Sequence, residues 1–302
     1  VSIQNEVPPV ATTPFADNGI PTNRVRADIA ALTHKGARPN NEDAYVVYRL
    51  GRFMELESSN LPEGDLPARY EDSGHLLIVG DGVGGAEGGE VASRTALLTL
   101  VSSILHAPKW ALKLDDPATR ETEIRELIER SRAYLQRMHV AIHERQARDP
   151  RYEGMGTTFT SAYTVGVDVF IMHVGDSRAY VLRRGRLIRI THDHTLAQEY
   201  ADLGNLGQAE VAKHPLSHVL TRAIGGPTET LMSDTHHRDI EDGDRLLLCS
   251  DGLTKVASED DIAAVLAANA SSKDACRALV ELALARGGPD NVTVIVAGYR
   301  VS

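Results

Sequence analysis

Cysteine and large aromatics are scarce in this chain of 302 residues, which holds two Cys, one Trp and four Phe. Two cysteines, Cys249 and Cys276, give neither a disulfide framework nor a zinc-ligand spacing. Cys249 lies in the apolar run LLLCS and reads as a core residue. No run approaches the ~18 apolar residues that would cross a bilayer, and no signal peptide is recognisable, so a cytoplasmic protein without a membrane segment is expected. Positive charge is also in deficit. Against 42 Asp and Glu stand 32 Lys and Arg, and a net charge of −10 argues against a general nucleic-acid partner. With 42% hydrophobic and 25% charged residues, the chain has the composition of a globular protein.

Patterning predicts an extended N-terminal segment over 1–24 and one domain over 25–302. Strands are predicted at 25–33 and 43–50, and a polar, acidic surface excursion over 51–74 precedes the HLLIVGD strand. Helical spacing marks 90–106 and a long amphipathic stretch at 117–147. Four strand-like runs follow, TTFTSAYTV, DVFIMHVGD, RAYVLRR and RLIRIT, the last two joined at Arg184-Gly185. A short helix ends near Gly204, and an irregular, His-rich flap is expected within 192–230. DRLLLCSDG reads as a buried strand, Ser258 and Asp261 as a helix-capping pair, 272–286 as a last helix and NVTVIVAGYR as a closing strand. Strands outnumber helices and often succeed one another directly. The expected class is α+β: two mostly antiparallel sheets face to face, flanked by helix pairs.

Four aspartates recur at the ends of apolar runs: Asp81 in LLIVGDGVGG, Asp176 in VFIMHVGDS, Asp251 in LLLCSDG and Asp290 in GGPDNVTVIV. Asp-Gly is also a strong hairpin-turn dipeptide, and taken singly Asp81-Gly82 or Asp251-Gly252 reads first as a turn. Together, antiparallel strands can bring all four to one sheet edge. Two carboxylates about 5 Å apart repel by roughly 3 kcal/mol at an effective dielectric of ~20, so protons or cations must neutralise the group. Acids without Cys ligands favour hard divalent ions. The turn GARPNNEDAY adds Arg38, Glu42 and Asp43. An Arg fork beside acids for two cations is equipment for phosphate-ester hydrolysis, in which metals acidify a water and neutralise the phosphoryl group. His139 and His143 are four apart, but HVAIH lacks the Glu of a zinc-protease helix, and they read as helix-surface or partly packed residues. His192, His194, His214 and His218 read as flap surface, and Arg183, Arg184 and Arg186 as a solvated turn.

Seven short motifs in order, RPNNEDA, VGDGVGG, GTTFTSAYTV, HVGDSRAYVLRRGRL, LTRAIGG, LLLCSDGLT and GGPDNVTVIV, resemble the metal-dependent type 2C protein serine/threonine phosphatases over roughly residues 25–298. The resemblance implies an α-β-β-α sandwich with two Mn2+ or Mg2+ ions at one end of the sheets. It implies Asp81 as the metal-bridging acid, Gly82 as a carbonyl ligand, and Asp251 and Asp290 on one metal. Glu42 would sit at the second metal, directly or through water, with Asp43 in support and Asn291 bracing Asp290. Arg38 would bind the substrate phosphate, and Asp176 would help to hold a weaker third metal. The implied partners are phosphoproteins, among them serine/threonine kinases and their substrates. Many eukaryotic members carry a proton-donating His where this chain has Val83, so the pattern is bacterial-type, and a water on a metal is the candidate acid. Two other readings stay open: a non-catalytic sensing member of the fold, and a small-molecule phosphohydrolase.

Overall fold

The computed structural model describes residues 25–301 apart from 63, 85–87, 108–111, 113 and 115. The predicted N-terminal segment 1–24 lies outside the described residues. Two antiparallel sheets stack face to face. One has the order β1 (Val25–His34), β11 (Val292–Val301), β10 (Arg245–Cys249), β7 (Arg178–Arg183), β8 (Arg186–Arg189). The other runs β2 (Asp43–Glu55), β3 (Arg69–Val83), β5 (Phe159–Val165), β6 (Asp168–Val174), β9 (Asp234–Asp239), with the two-residue β4 (Gly156–Thr157) pairing the end of β3.

Strand alternation makes three apolar layers from these two sheets, because successive side chains point to opposite faces. Leu77, Val79, Ala162, Val169 and Ile171 face Leu246, Leu248, Ile295 and Ala297 between the sheets. Leu76, Ile78, Phe159, Phe170 and Met172 point outward and are covered by α1 (Gly88–Leu105) and α2 (Pro117–Arg148). On the far side, Leu247, Cys249, Val292, Val294 and Val296 are covered by α4 (Asp251–Thr254), α5 (Glu259–Ala268) and α6 (Ser272–Ala285). Both helix layers are closed at their starts by local signals. Asp116 caps α2, accepting from Ala118 N at 3.0 Å, with Pro117 next, where its missing N–H costs nothing. Ser258 and Asp261 form a reciprocal capping box on α5.

Several expectations need correction. The excursion at 51–74 is strand at both ends: the β2–β3 register continues from Asp43↔Asp81 out to Glu55↔Arg69, and 56–68 form the loop between. The arm lies outside the core, where even its apolar Phe53 is 76% exposed. The edge strand β9, sequence DTHHRD, carries no apolar alternation and was missed by pattern. His139 is buried rather than on the helix surface: its Nδ1 accepts from Gly225 N at 3.0 Å and its Nε2 lies 2.6 Å from Thr228 O, fastening α2 to the base of the flap. The flap contains α3 (Leu196–Asp202) and a 3-10 turn at Gln208–Lys213, and an isolated bridge between Thr195 and Leu220 closes its neck. The basic hairpin turns at Arg184 and Gly185, both at positive φ (51° and 79°). Arg183 bonds Asp244 and Glu241 there, and Arg184 bonds Glu241.

Leu247→Ala should cost about 2–5 kcal/mol in denaturant unfolding, since it empties a fully buried position. Phe53→Ala, out on the hairpin arm, should stay within about 0.5 kcal/mol of the parent. Similar losses at both sites would mean that the arm is part of the core.

Candidate metal centre

The acids gather at the common end of both sheets, not at the edge of one. Asp43 opens β2 and lies opposite Asp81 in β3, while Asp176 follows β6. From the other sheet come Asp251, at the start of α4 just after β10, and Asp290, just before β11. Close packing at this junction depends on glycine. A Cβ on Gly82 would meet the carbonyl oxygen of Gly89 at 2.1 Å, and one on Gly252 would meet that of Asn291 at 1.9 Å. A Cβ on Gly89 would sit 2.8 Å from both the Gly82 carbonyl oxygen and Glu42 Oε2, so these two oxygens face the same spot at the start of α1.

A directed hydrogen-bond chain fixes Asp43. Its Oδ2 accepts from Ser250 Oγ and Thr293 Oγ1, each at 2.7 Å, which ties one sheet to the other. Thr293, having spent its proton on Asp43, accepts from Thr33 Oγ1 at 2.7 Å, and Thr33 in turn accepts from Asn41 Nδ2 at 2.8 Å. Asn291 anchors the preceding turn: its Oδ1 accepts from Glu42 N at 2.7 Å, and its Nδ2 donates to the carbonyls of Lys35 and Asn40, each at 2.9 Å. Thr158 exchanges bonds with Asp81, its Oγ1 accepting from Asp81 N and its N–H donating to Asp81 O.

The electrostatics are those of a site short of positive charge. Burial, then the neighbouring Asp43, Asp251 and Asp176, pushes the Asp81 carboxyl well above the usual carboxylate range. Burial raises Asp43 to about 7 against the pull of its two hydroxyl donors. Burial followed by Asp251 raises Asp176, and burial also raises Asp251 and Glu42. Asp290 goes the other way. Burial opposes it, but Lys255, Arg38 and the Asn291 N–H hold its carboxyl below the usual range. Arg38 is committed to this carboxylate through Nε at 2.9 Å and Nη2 at 3.0 Å. Two buried oxygens, Asp43 Oδ1 and Asp251 Oδ1, have no hydrogen-bond partner among the described residues. Orphaned carboxylate oxygens amid raised pKa values are what a hard divalent ion would satisfy, so the donor set fits such an ion.

Sequence reasoning missed Lys255. Its Nζ lies 2.6 Å from Asp251 Oδ2 and 2.8 Å from Asp290 Oδ2. The available signal was the spacing, four residues after Asp251 across a helical turn. A separate group, Asp168, His237 and Asp239, has ligand atoms within 4.8 Å of one another, but it sits at the opposite end of β6 from Asp176. Arg120 and His237 already bond Asp168 there.

The Protein phosphatase 2C sequence family matches residues 56–285. The chain belongs to the protein phosphatase 2C family. It is similar to the serine/threonine protein phosphatase PstP of Mycobacterium tuberculosis, 37% identical over 242 residues, which are 78% of this chain and 43% of that protein. The chain thus spans less than half the length of the first curated relatives that it matches. The protein phosphatase PhpP of Streptococcus pneumoniae is 30% identical over 88% of this chain and 95% of its own. Among solved structures, the S. agalactiae serine/threonine phosphatase superposes with a TM-score of 0.73 at 30% identity, covering 92% of this chain and all of that one. The PstP catalytic domain in complex with two manganese ions gives 0.68 at 31% identity, over 91% of this chain and 99% of that one. The four-layer architecture expected from the sequence is the fold of these phosphatases.

A pH prediction follows from Asp43. Folded, it keeps its proton up to about pH 7; unfolded, it releases it near the ordinary carboxylate value of about 3.9. Between those values the unfolded chain binds fewer protons, so this residue's contribution to stability falls as pH rises. In EDTA, the stability of the parent relative to Asp43→Asn should decline from pH 4 to about 7 and then level off. A difference that is flat in pH across thermal melts would show that Asp43 is ionised throughout.

Proposed function

We propose that the chain is a protein phosphatase that hydrolyses phosphoserine and phosphothreonine on proteins with two divalent ions, Mn2+ or Mg2+, residues 25–302 acting as one catalytic unit. The observation that carries this reading is the convergence of five acids from two sheets, with the Asp43 Oδ1 and Asp251 Oδ1 oxygens unpartnered among the described residues. Relatives named as serine/threonine phosphatases, one of them in complex with manganese, support it. In this reading Asp81 would serve both ions, Asp251 and Asp290 would hold one, and the Gly82 carbonyl and Glu42 would serve the other, with Asp43 in support. Asp176 helps to hold a third, weaker ion. When bound, the ions supply Lewis acidity, lowering the pKa of a water and offsetting phosphoryl charge.

The chain's own groups do the positioning. Arg38 stands 54% exposed at the rim, where its fork can pass from Asp290 to the oxygens of an arriving phosphate. Asn291 holds the turn that carries Glu42, and Ser250 and Thr293 keep Asp43 aimed across the sheet junction. Val83 offers no proton, so the leaving serine alkoxide draws its proton from water. Phosphoproteins, including serine/threonine kinases and their substrates, are the proposed partners, in the cytoplasm.

Turnover of a phosphopeptide should vanish after exhaustive EDTA treatment and return with manganese, and Asp81→Asn, Asp251→Asn and Asp290→Asn should each lower it by at least about 10²-fold while the fold persists. Near-parental turnover in two of the three variants would remove the assignment. Faster turnover of small phosphate esters than of any phosphopeptide would favour the small-molecule reading, and inactivity on both with manganese bound would favour a sensing role.

Arg38→Ala should raise KM and weaken inhibition by inorganic phosphate more than it changes manganese affinity, because the charged fork is lost and the acids remain. Asp176→Ala should lose a weak third ion in calorimetric titration, with larger rate losses on a phosphopeptide than on p-nitrophenyl phosphate, whose leaving group needs no proton. Unchanged phosphate inhibition, or equal losses on the two substrates, would contradict the respective roles.

A further inference from the structure

Lys255 sits between two acids of the proposed metal site. It caps the C-terminal end of α4, its own N–H donating to Asp251 O at 2.8 Å, so its backbone is fixed beside Asp251 while the side chain keeps its rotamers. The helix is itself pinned, by Leu253, which is fully buried, and by Gly252 against the Asn291 carbonyl. From this fixed base the ammonium reaches two carboxylates on different elements, Asp251 and Asp290, which are the pair proposed above to share one ion. The two contacts are short and only partly exposed to solvent, so screening by water is incomplete.

The geometry points to Lys255 as a built-in counter-cation that occupies the Asp251–Asp290 pair and must be displaced when a divalent ion enters, setting the metal concentration at which the site fills. The inference rests on the two-metal reading. An ammonium satisfies the two carboxylates as a point charge with rotatable donors, so it can hold them together and still swing away. A divalent ion at about 2–2.6 Å from the same oxygens would lie too close to the ammonium for both to stay, since like charges at that range repel strongly even in a high-dielectric surrounding. The ammonium thus lowers the cost of gathering acids in the metal-free protein and raises the cost of loading the metal.

The test is manganese binding by calorimetry on the metal-stripped chain, for the parent, Lys255→Met and Lys255→Arg, with thermal melts in EDTA. Lys255→Met should tighten one binding step by at least about tenfold and lower the melting temperature of the metal-free protein. Lys255→Arg, keeping the charge, should stay within about threefold of the parent. If Lys255→Met does not fold, Lys255→Gln removes the charge with a polar end, and the same comparison decides. Equal or weaker manganese binding in the charge-removing variant, or tightening in the arginine variant as well, would overturn the inference while leaving the two-metal site intact. A parent chain that binds no manganese would instead overturn the phosphatase reading.

Discussion

Mutual repulsion among buried carboxylates is the constraint around which the end of this molecule is organised. Asp43, Asp81, Asp176 and Asp251 are packed where burial pushes each above its ordinary range, and hydroxyl donors offset only part of that cost at Asp43. A fold that places such a group at the junction of two sheets stores a demand for positive charge. Lys255 meets that demand at both Asp251 and Asp290, but only Asp290 lies shallower and adds Arg38 and the Asn291 N–H, so it shifts down while Asp251 and the others shift up. The same demand makes divalent ions natural occupants of the deeper side.

The sheets themselves owe their alignment to an unusual division of labour. Apolar residues such as Leu77, Val79, Leu248 and Ile295 supply adhesion without direction. Direction comes from the polar chain running from Asn41 through Thr33 and Thr293 to Asp43, in which every proton points the same way. Such ordered donors polarise one another and fix one register of the sheets at the end where the acids must meet.

Much of this was legible in the residues. Apolar runs ending in Asp located β3, β6 and β10, and the Ser258–Asp261 spacing located the start of α5. The acids came together because antiparallel topology returns successive strands to the same end. What escaped were features whose cause is tertiary. The strand β9 is polar because it lies at an edge, and the outer β2–β3 arm is polar because it leaves the core; neither shows a period. The burial of His139 depends on the Gly225 and Thr228 backbone arriving from 86 and 89 residues away. Lys255 drew no reading from the sequence, because only α4 sets it beside Asp290, which precedes β11 far along the chain.

The neck of the flap has a consequence for how this scaffold tolerates change. Thr195 and Leu220 pair across its base, His194 N donates to the Gly175 carbonyl at 2.7 Å, and Thr221 N donates to the His194 carbonyl at 2.9 Å. The two ends are therefore stapled to the backbone that leads into Asp176, while the segment between them closes on itself. Residues can be inserted, removed or exchanged along that segment at the modest entropic cost of a longer loop, without moving a carboxylate. The chemistry and the surface presented beside it are in this way separable: one can be rewritten while the other is kept.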